Sequence, residues 1–95
     1  MAELRTSTAQ HADALLDRLI EAWSELPQIV AELDTWDPVD RADYIEGWPR
    51  ETVRLHRLER YMSEGTPTAE QRARYRELRA LIAKNRPLLE RVTNR

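Results

Sequence analysis

The sequence predicts an all-α fold, a small up-down-up helical bundle of three proline-interrupted amphipathic helices, and three observations predict it. The 95 residues include only two glycines and are rich in Ala, Leu, Glu and Arg, a composition that favours helix over sheet. Apolar residues recur in alternating steps of three and four along three stretches of similar length, the spacing that gathers them on one face of a helix. Residues with strong helix-start or helix-stop chemistry separate those stretches. The length is one domain's worth, so residues 1–95 are expected to share a single thin core to which a partner chain could add stability.

Helix one is expected to start near Ser7 or Thr8, whose hydroxyl can accept from orphan amides of the first turn, after a frayed lead-in over residues 1–6. Its seam runs Ala12, Leu16, Leu19, Trp23, Leu26, Val30 and Leu33, widened by Leu15, Ile20 and Ile29. Pro27 falls inside the seam, where it removes a backbone hydrogen bond and crowds the preceding turn. A kink or a break is expected there, and Ser24 could cap a separate second segment.

Helix two begins at Pro38 with Asp37 as N-cap, and Asp40 adds negative charge where the helix dipole is positive. Gly47 and the Trp48-Pro49 pair oppose helix, because a residue before proline is driven toward extended backbone. A bend after Glu46 and a restart at Pro49 follow. One face then carries Ile45, Trp48, Thr52, Leu55, Leu58 and Met62, and Gly65 is expected to end the element as a left-handed cap. Helix three opens on a capping box, Thr68 with Gln71 three residues later. Its seam is Tyr75, Leu78, Ile82, Asn85, Leu89 and Val92, with Pro87 interrupting it, Asn85 as its polar exception, and residues 93–95 expected to be loose. Short connections make sequential helices antiparallel, so the first and third run parallel, and the prolines at 27, 49 and 87 can divide the bundle into five or six shorter helices.

Cysteine is absent, which removes disulfides, thiolate chemistry and Cys-based zinc sites. Neither His11 nor His56 has a glutamate three residues before it, the Glu-x-x-His spacing of carboxylate-bridged metal centres in bundles, so neither metal nor cofactor is expected. The start, MAELRTSTAQHADA, has no basic segment followed by an apolar run, and no stretch reaches the ~20 apolar residues of a membrane span. A soluble, cytoplasmic chain is therefore expected, and fourteen arginines against one lysine read as the coding bias of a GC-rich bacterial genome.

The net charge of −2 conceals an asymmetry: residues 1–49 hold eleven acids and three bases (−8), residues 50–95 six acids and twelve bases (+6). Such halves can neutralise each other within one chain, across a homodimer or against an external partner. Asp13, Asp17, Glu21 and Glu25 form an i, i+4 acidic ridge on helix one, which repels itself unless a basic surface faces it. Arg50, Arg54, Arg57 and Arg60, with Arg72, Arg74, Arg76 and Arg79 on the next helix, make a basic surface that can track a phosphate backbone. The acidic pI of 5.7 and helix-spaced acids such as Glu70 before Arg74 favour instead a solvated face paired with acids of the first half. Arg50 and His56 also resemble the Arg-x(4 to 6)-His element of HEPN-type helical ribonucleases, over seven residues, with Glu51 where that family prefers Asn, Asp or His. The resemblance implies metal-independent RNA cleavage that depends on His56.

One stretch stands out, WDPVDRADYIEGWP from Trp36 to Pro49, where Trp36, Tyr44 and Trp48 sit among Asp34, Asp37, Asp40, Asp43 and Glu46. Tyr44 and Trp48 are one turn apart and share a face flanked by Asp40 and Asp43, an apolar patch with an acidic rim. Trp36, Tyr44, Trp48, Asp40 and Asp43 are therefore candidate interface residues, two of the three aromatics being expected inside the fold. No residue set points to catalysis. The leading expectation is a non-enzymatic protein acting through protein–protein contact as a homodimer, because its apolar seams look longer than a 95-residue monomer can cover. The alternative is a nucleic-acid-associated regulator, or a partner of a toxin or repressor, using the arginine faces.

Overall fold

A computed structural model describes residues 2–93, with side chains from Ala9 onward. The chain forms α1 (Ala2–Glu32), a 3₁₀ turn (Leu33–Thr35), α2 (Pro38–Glu46), α3 (Trp48–Glu64) and α4 (Ala69–Thr93), with no strand among the described residues. Contacts along α1 fix the direction of its neighbours. Asp13 meets Gln71, Asp17 meets Arg74 and Trp23 meets Asn85, so α4 runs parallel to α1. Arg18 meets Glu51 and Trp23 meets Trp48, so α3 runs antiparallel, which is the expected up-down-up bundle with α2 as a short arm in the crossover.

The core lies along α1: Leu16, Leu19 and Leu26 are fully buried against Leu58 of α3 and Leu78 of α4. Because α3 and α4 pack mainly on α1 and approach each other sparsely, the molecule is long, 49 × 23 × 18 Å. Its Cα radius of gyration is 15.1 Å, against about 12 Å for a compact domain of this length. No helix among the described residues is long and apolar enough to cross a membrane. The seams are nevertheless covered within one chain: among the described residues, Val39 (67 % exposed) and Val53 (50 %) are the large hydrophobics left in solvent. The apolar surplus expected from the sequence is therefore not seen among them, because α1 receives a helix on each of two sides. Thr52, placed on the α3 seam by its spacing, is exposed and turns its hydroxyl back to the Trp48 carbonyl at 3.5 Å.

Helix starts follow local chemistry. Asp37 caps α2 by accepting from the Val39 amide at 2.8 Å, with Pro38 in the first turn. Thr68 and Gln71 form the reciprocal capping box: the Gln71 amide donates to Thr68 Oγ1 at 3.0 Å and the Thr68 amide to Gln71 Oε1 at 2.9 Å. Gln71 does more than cap. Buried to 3 % exposure, it also accepts from the Tyr61 hydroxyl (3.2 Å) and donates to the Ala9 carbonyl (3.2 Å) and Asp13 Oδ1 (2.9 Å), so one amide ties α4 to α3 and α1 with its bonding capacity filled.

Pro27 neither breaks α1 nor starts a second segment, and the helix runs unbroken from Ala2 to Glu32. A proline at position 27 leaves the carbonyl of residue 23 without its helical donor. Asn85 of α4 supplies it: Nδ2 donates to the Trp23 carbonyl at 3.0 Å, inside the core. The polar exception on one seam thus answers the missing hydrogen bond on the other. Pro87 likewise sits inside continuous α4, and the residue four before it, Ala83, is exposed, so water can reach that carbonyl. Only Gly47 divides a predicted helix, giving four α-helices among the described residues rather than five or six.

Three further expectations change. Helix one starts at Ala2, so Ser7 and Thr8 are not N-caps; no glycine or proline interrupts the backbone before Pro27, and helix propagates once begun. The looseness expected of Met1, Asn94 and Arg95 concerns residues outside those described, and Thr93 is helical, its hydroxyl donating to the Leu89 carbonyl at 2.9 Å. Gly65 is extended (φ −91°, ψ −163°) rather than left-handed, although its amide does cap α3 by donating to the Tyr61 carbonyl at 2.8 Å. Glycine is required there for space: a Cβ would lie 2.7 Å from that carbonyl oxygen and 2.8 Å from the Tyr61 ring.

Candidate functional site

The hinge between α2 and α3 is a single residue. Gly47 keeps near-helical dihedrals (φ −74°, ψ −19°) and its amide still reaches the Asp43 and Tyr44 carbonyls at 3.1 and 3.2 Å. The helical face therefore carries across the break, and four aromatics form an edge-to-face ladder. Centroids are 5.7 Å apart for Trp36–Tyr44, 6.2 Å for Tyr44–Trp48 and 5.0 Å for Trp48–Trp23. Trp48 is buried in the core, while Trp36 and Tyr44 are half-buried, so the hinge aromatics are mainly packing groups. Burial pushes the Tyr44 phenol above its ordinary pKa; the Trp48 indole hydrogen bond partly offsets this, and the nearby charges of Glu25 and Glu51 add to it. Tyr44 thus presents a neutral hydroxyl.

Tyr44 borders a groove of about 330 Å³ between α1 and the α2–α3 hinge, with Ala22, Ile29 and Trp48 in its wall. A second depression of about 370 Å³ follows along the same α1–α3 boundary, lined by Ala12, Leu15, Tyr61 and Arg57. Both lips of the first groove are mixed in charge: Arg18, Glu21 and Glu25 stand on α1, and Asp43, Arg50, Glu51 and Arg54 stand on the α2–α3 side. Glu21, Glu25, Asp43 and Arg50 are exposed and have no ion-pair partner among the described residues. A bridge crosses the boundary from Arg18 of α1 to Glu51 of α3 at 3.4 Å.

Glu51 is the least expected member. Its Oε1 also accepts from Arg54 Nη1 at 2.8 Å, and its Oε2 is buried without a partner, an arrangement that costs folding free energy unless a donor arrives. A signal for it existed: Glu51 lies seven residues before Leu58, on the core-facing side of the helix. The acidic ridge is answered only in part. Gln71 bonds Asp13 and Arg74 bonds Asp17, so Arg74 serves α1 rather than its helix neighbour Glu70; Glu21 and Glu25 have no ion-pair partner among the described residues and lie in the groove.

The remaining sequence candidates scatter. Trp36 and Asp40 lie outside the groove lining, whereas Tyr44, Trp48 and Asp43 are part of it. Arg60 pairs with Glu64 at 3.2 Å, and Arg57 is exposed beside the second depression. On α4, Arg72, Arg76 and Arg79 are exposed and none pairs with an acid among the described residues; Arg79 lies over the Tyr75 ring, 5.8 Å from its centroid, and donates to its hydroxyl at 3.3 Å. Arg50 and His56 are not brought together: six residues of helix turn through about 240°, which leaves them about 120° apart around α3. No group of three or more His, Cys, Asp or Glu placed to hold a metal ion occurs among the described residues. Compared with known proteins, the chain matches no family model, no curated protein and no solved structure.

Proposed function

We propose that this protein is a non-catalytic contact module that binds protein through the α1–α3 groove, its partner being a second copy of itself. The observation that carries the reading is that part of the groove's charge is left unpaired among the described residues. Glu21 and Glu25 on α1 and Asp43 and Arg50 on the hinge side stand in solvent without ion pairs there, although the chain holds nearly balanced charge overall. A long face of 49 by 23 Å exceeds the ~800 Å² per partner that a standard interface buries. With few exposed apolar side chains, such an interface is polar and modest in affinity. Light scattering after size exclusion is expected to give twice the 11.2 kDa chain mass at high micromolar concentration, and a single-chain mass there removes the reading.

A second reading rests on α4, where Arg72, Arg76 and Arg79 have no acidic partner among the described residues. Contact with a phosphate backbone would then fall steeply with salt, and Arg72→Ala with Arg76→Ala would reduce the slope of log K against log salt by about two. Fluorescence anisotropy with a generic duplex checks it; no binding at low salt ends it.

A further inference from the structure

One outer flank of α4 carries charges that the helix leaves unanswered. Glu70, Glu77, Lys84 and Arg91 recur every seven residues, a spacing that drifts only about 20° per step and so keeps them in one row. All four are exposed, and none has an ion-pair partner among the described residues. The residues three and four places from Glu77 and Lys84 are Ala73, Arg74, Ala80, Leu81, Pro87 and Leu88, and Arg74 is bonded to Asp17 of α1. An arc of about 120° around the row holds no other charged side chain. Exposed Ala69, Ala73 and Ala80 border the row on one side; half-buried Leu81 and Leu88 border it on the side of α1.

The row is acidic at its N-terminal end and basic at its C-terminal end, so reversing the helix exchanges the signs. Set antiparallel on a second copy, Glu70 comes level with Arg91 of that copy when Glu77 comes level with its Lys84, because both pairs are centred between Ala80 and Leu81. The two-fold axis repeats both pairs on its other side, whereas a parallel mate sets like charge on like. From this we infer that this flank of α4 is a self-complementary docking surface whose occupant is a second copy of this chain, its α4 antiparallel and the axis passing between Ala80 and Leu81. Alanine at 73 and 80 lets two helix backbones approach closely, and Leu81 and Leu88 offer apolar surface to cover. Asp13 and Asp17 of α1 stand at the acidic end, bonded to Gln71 and Arg74, and Asp34 near the basic end is engaged with Arg41 at 4.0 Å. Arg72, Arg76 and Arg79 lie on the adjoining face, outside the contact.

The inference rests on the contact reading only for its claim that copies associate, and it assigns a face away from the groove, so the test reports on the face as well as the mass. In the antiparallel pair the two copies of Ala80 lie within about 2 Å of the same height, whereas the two copies of Ala73 stand about 22 Å apart along the axis. The chain has no cysteine, so Ala80→Cys and Ala73→Cys each introduce a single thiol. Under diamide, a thiol oxidant, Ala80→Cys is expected to give a disulfide-linked dimer on a non-reducing gel at least tenfold faster than Ala73→Cys. Adding Glu77→Lys to Ala80→Cys is expected to slow linking tenfold or more, and adding Lys84→Glu as well is expected to restore it, because the two signs are then exchanged together. Circular dichroism checks that each variant folds. Equal linking at the two positions, or charge changes that neither slow nor restore it, overturns this pairing, and the contact reading stands where the wild-type chain still sediments as a dimer. A wild-type chain that is monomeric at high micromolar concentration overturns both. Should a cysteine variant fail to fold, sedimentation compares Glu77→Lys with and without Lys84→Glu: loss and recovery of the dimer is expected, and an unchanged mass overturns the pairing.

Discussion

Trp48→Ala is expected to lower the free energy of unfolding by about 3–5 kcal/mol, measured by urea denaturation followed by circular dichroism. Trp48 is 5 % exposed, lies edge-on to Trp23 at 5.0 Å, and joins α3 to the central helix at the point where the hinge meets the core. Removing it opens a cavity between helices that have few other contacts to relax into. A domain of this size has a total stability of about 5–15 kcal/mol, so the change takes a large share of it. Trp36→Ala, at the half-buried end of the same ladder, is expected to cost about 1–2 kcal/mol. Equal losses at the two positions would contradict the assignment of Trp48 to the core. The consequence for function is practical: a variant lacking Trp48 reports on folding, so the groove has to be tested through its charged lips.

The second large effect belongs to a pair that sequence separates by 58 positions, Pro27 and Asn85. Asn85→Leu keeps the volume but removes the donor to the Trp23 carbonyl, and a buried carbonyl left unpaired costs about 1–3 kcal/mol. In a Pro27→Ala background the amide restored at position 27 can bond that carbonyl itself. The same Asn85→Leu change should then cost about 1–2 kcal/mol less, a coupling that a double-mutant cycle reads directly. If Asn85→Leu costs the same in both backgrounds, Asn85 does not replace the bond that Pro27 lacks.

These two cases show what was legible in the chain and what was not. Sequence supplied the features that depend on neighbours: the Asp37 cap with Pro38, the Thr68–Gln71 capping box, the break at Gly47, and the faces of all three long helices. It also marked Pro27 as a missing hydrogen bond and Asn85 as a polar residue on an apolar face. What it could not supply was their meeting, since periodicity gives the face of each helix but not the height at which two helices pack. The same limit hid the remaining bonds of Gln71 to Ala9, Asp13 and Tyr61. For Gly65, composition pointed to the commonest use of a terminal glycine, and the actual reason is crowding by Tyr61.

The candidate site was legible in halves for a related reason. Tyr44, Trp48 and Asp43 were recognisable as a cluster because they are close in sequence, and they do line the groove. Glu21, Glu25 and Arg50 had each been noticed within their own helices, as members of an acidic ridge and of an arginine surface. Only packing shows that the ridge divides, with Asp13 and Asp17 turned to α4 and Glu21 and Glu25 left facing the groove. Glu51 was missed because a carboxylate in the first turn of a helix has a sufficient local explanation, the helix dipole.

If unmatched charges on the groove lips drive association, the association must weaken as salt screens them, over a Debye length that shrinks from about 10 Å at 0.1 M to about 3 Å at 1 M. Sedimentation equilibrium of the wild-type chain across that range of sodium chloride tests this most directly. A dimer at low salt whose dissociation constant rises with salt is the predicted result; a mass of 11.2 kDa at every salt concentration, or a dimer indifferent to salt, would contradict it.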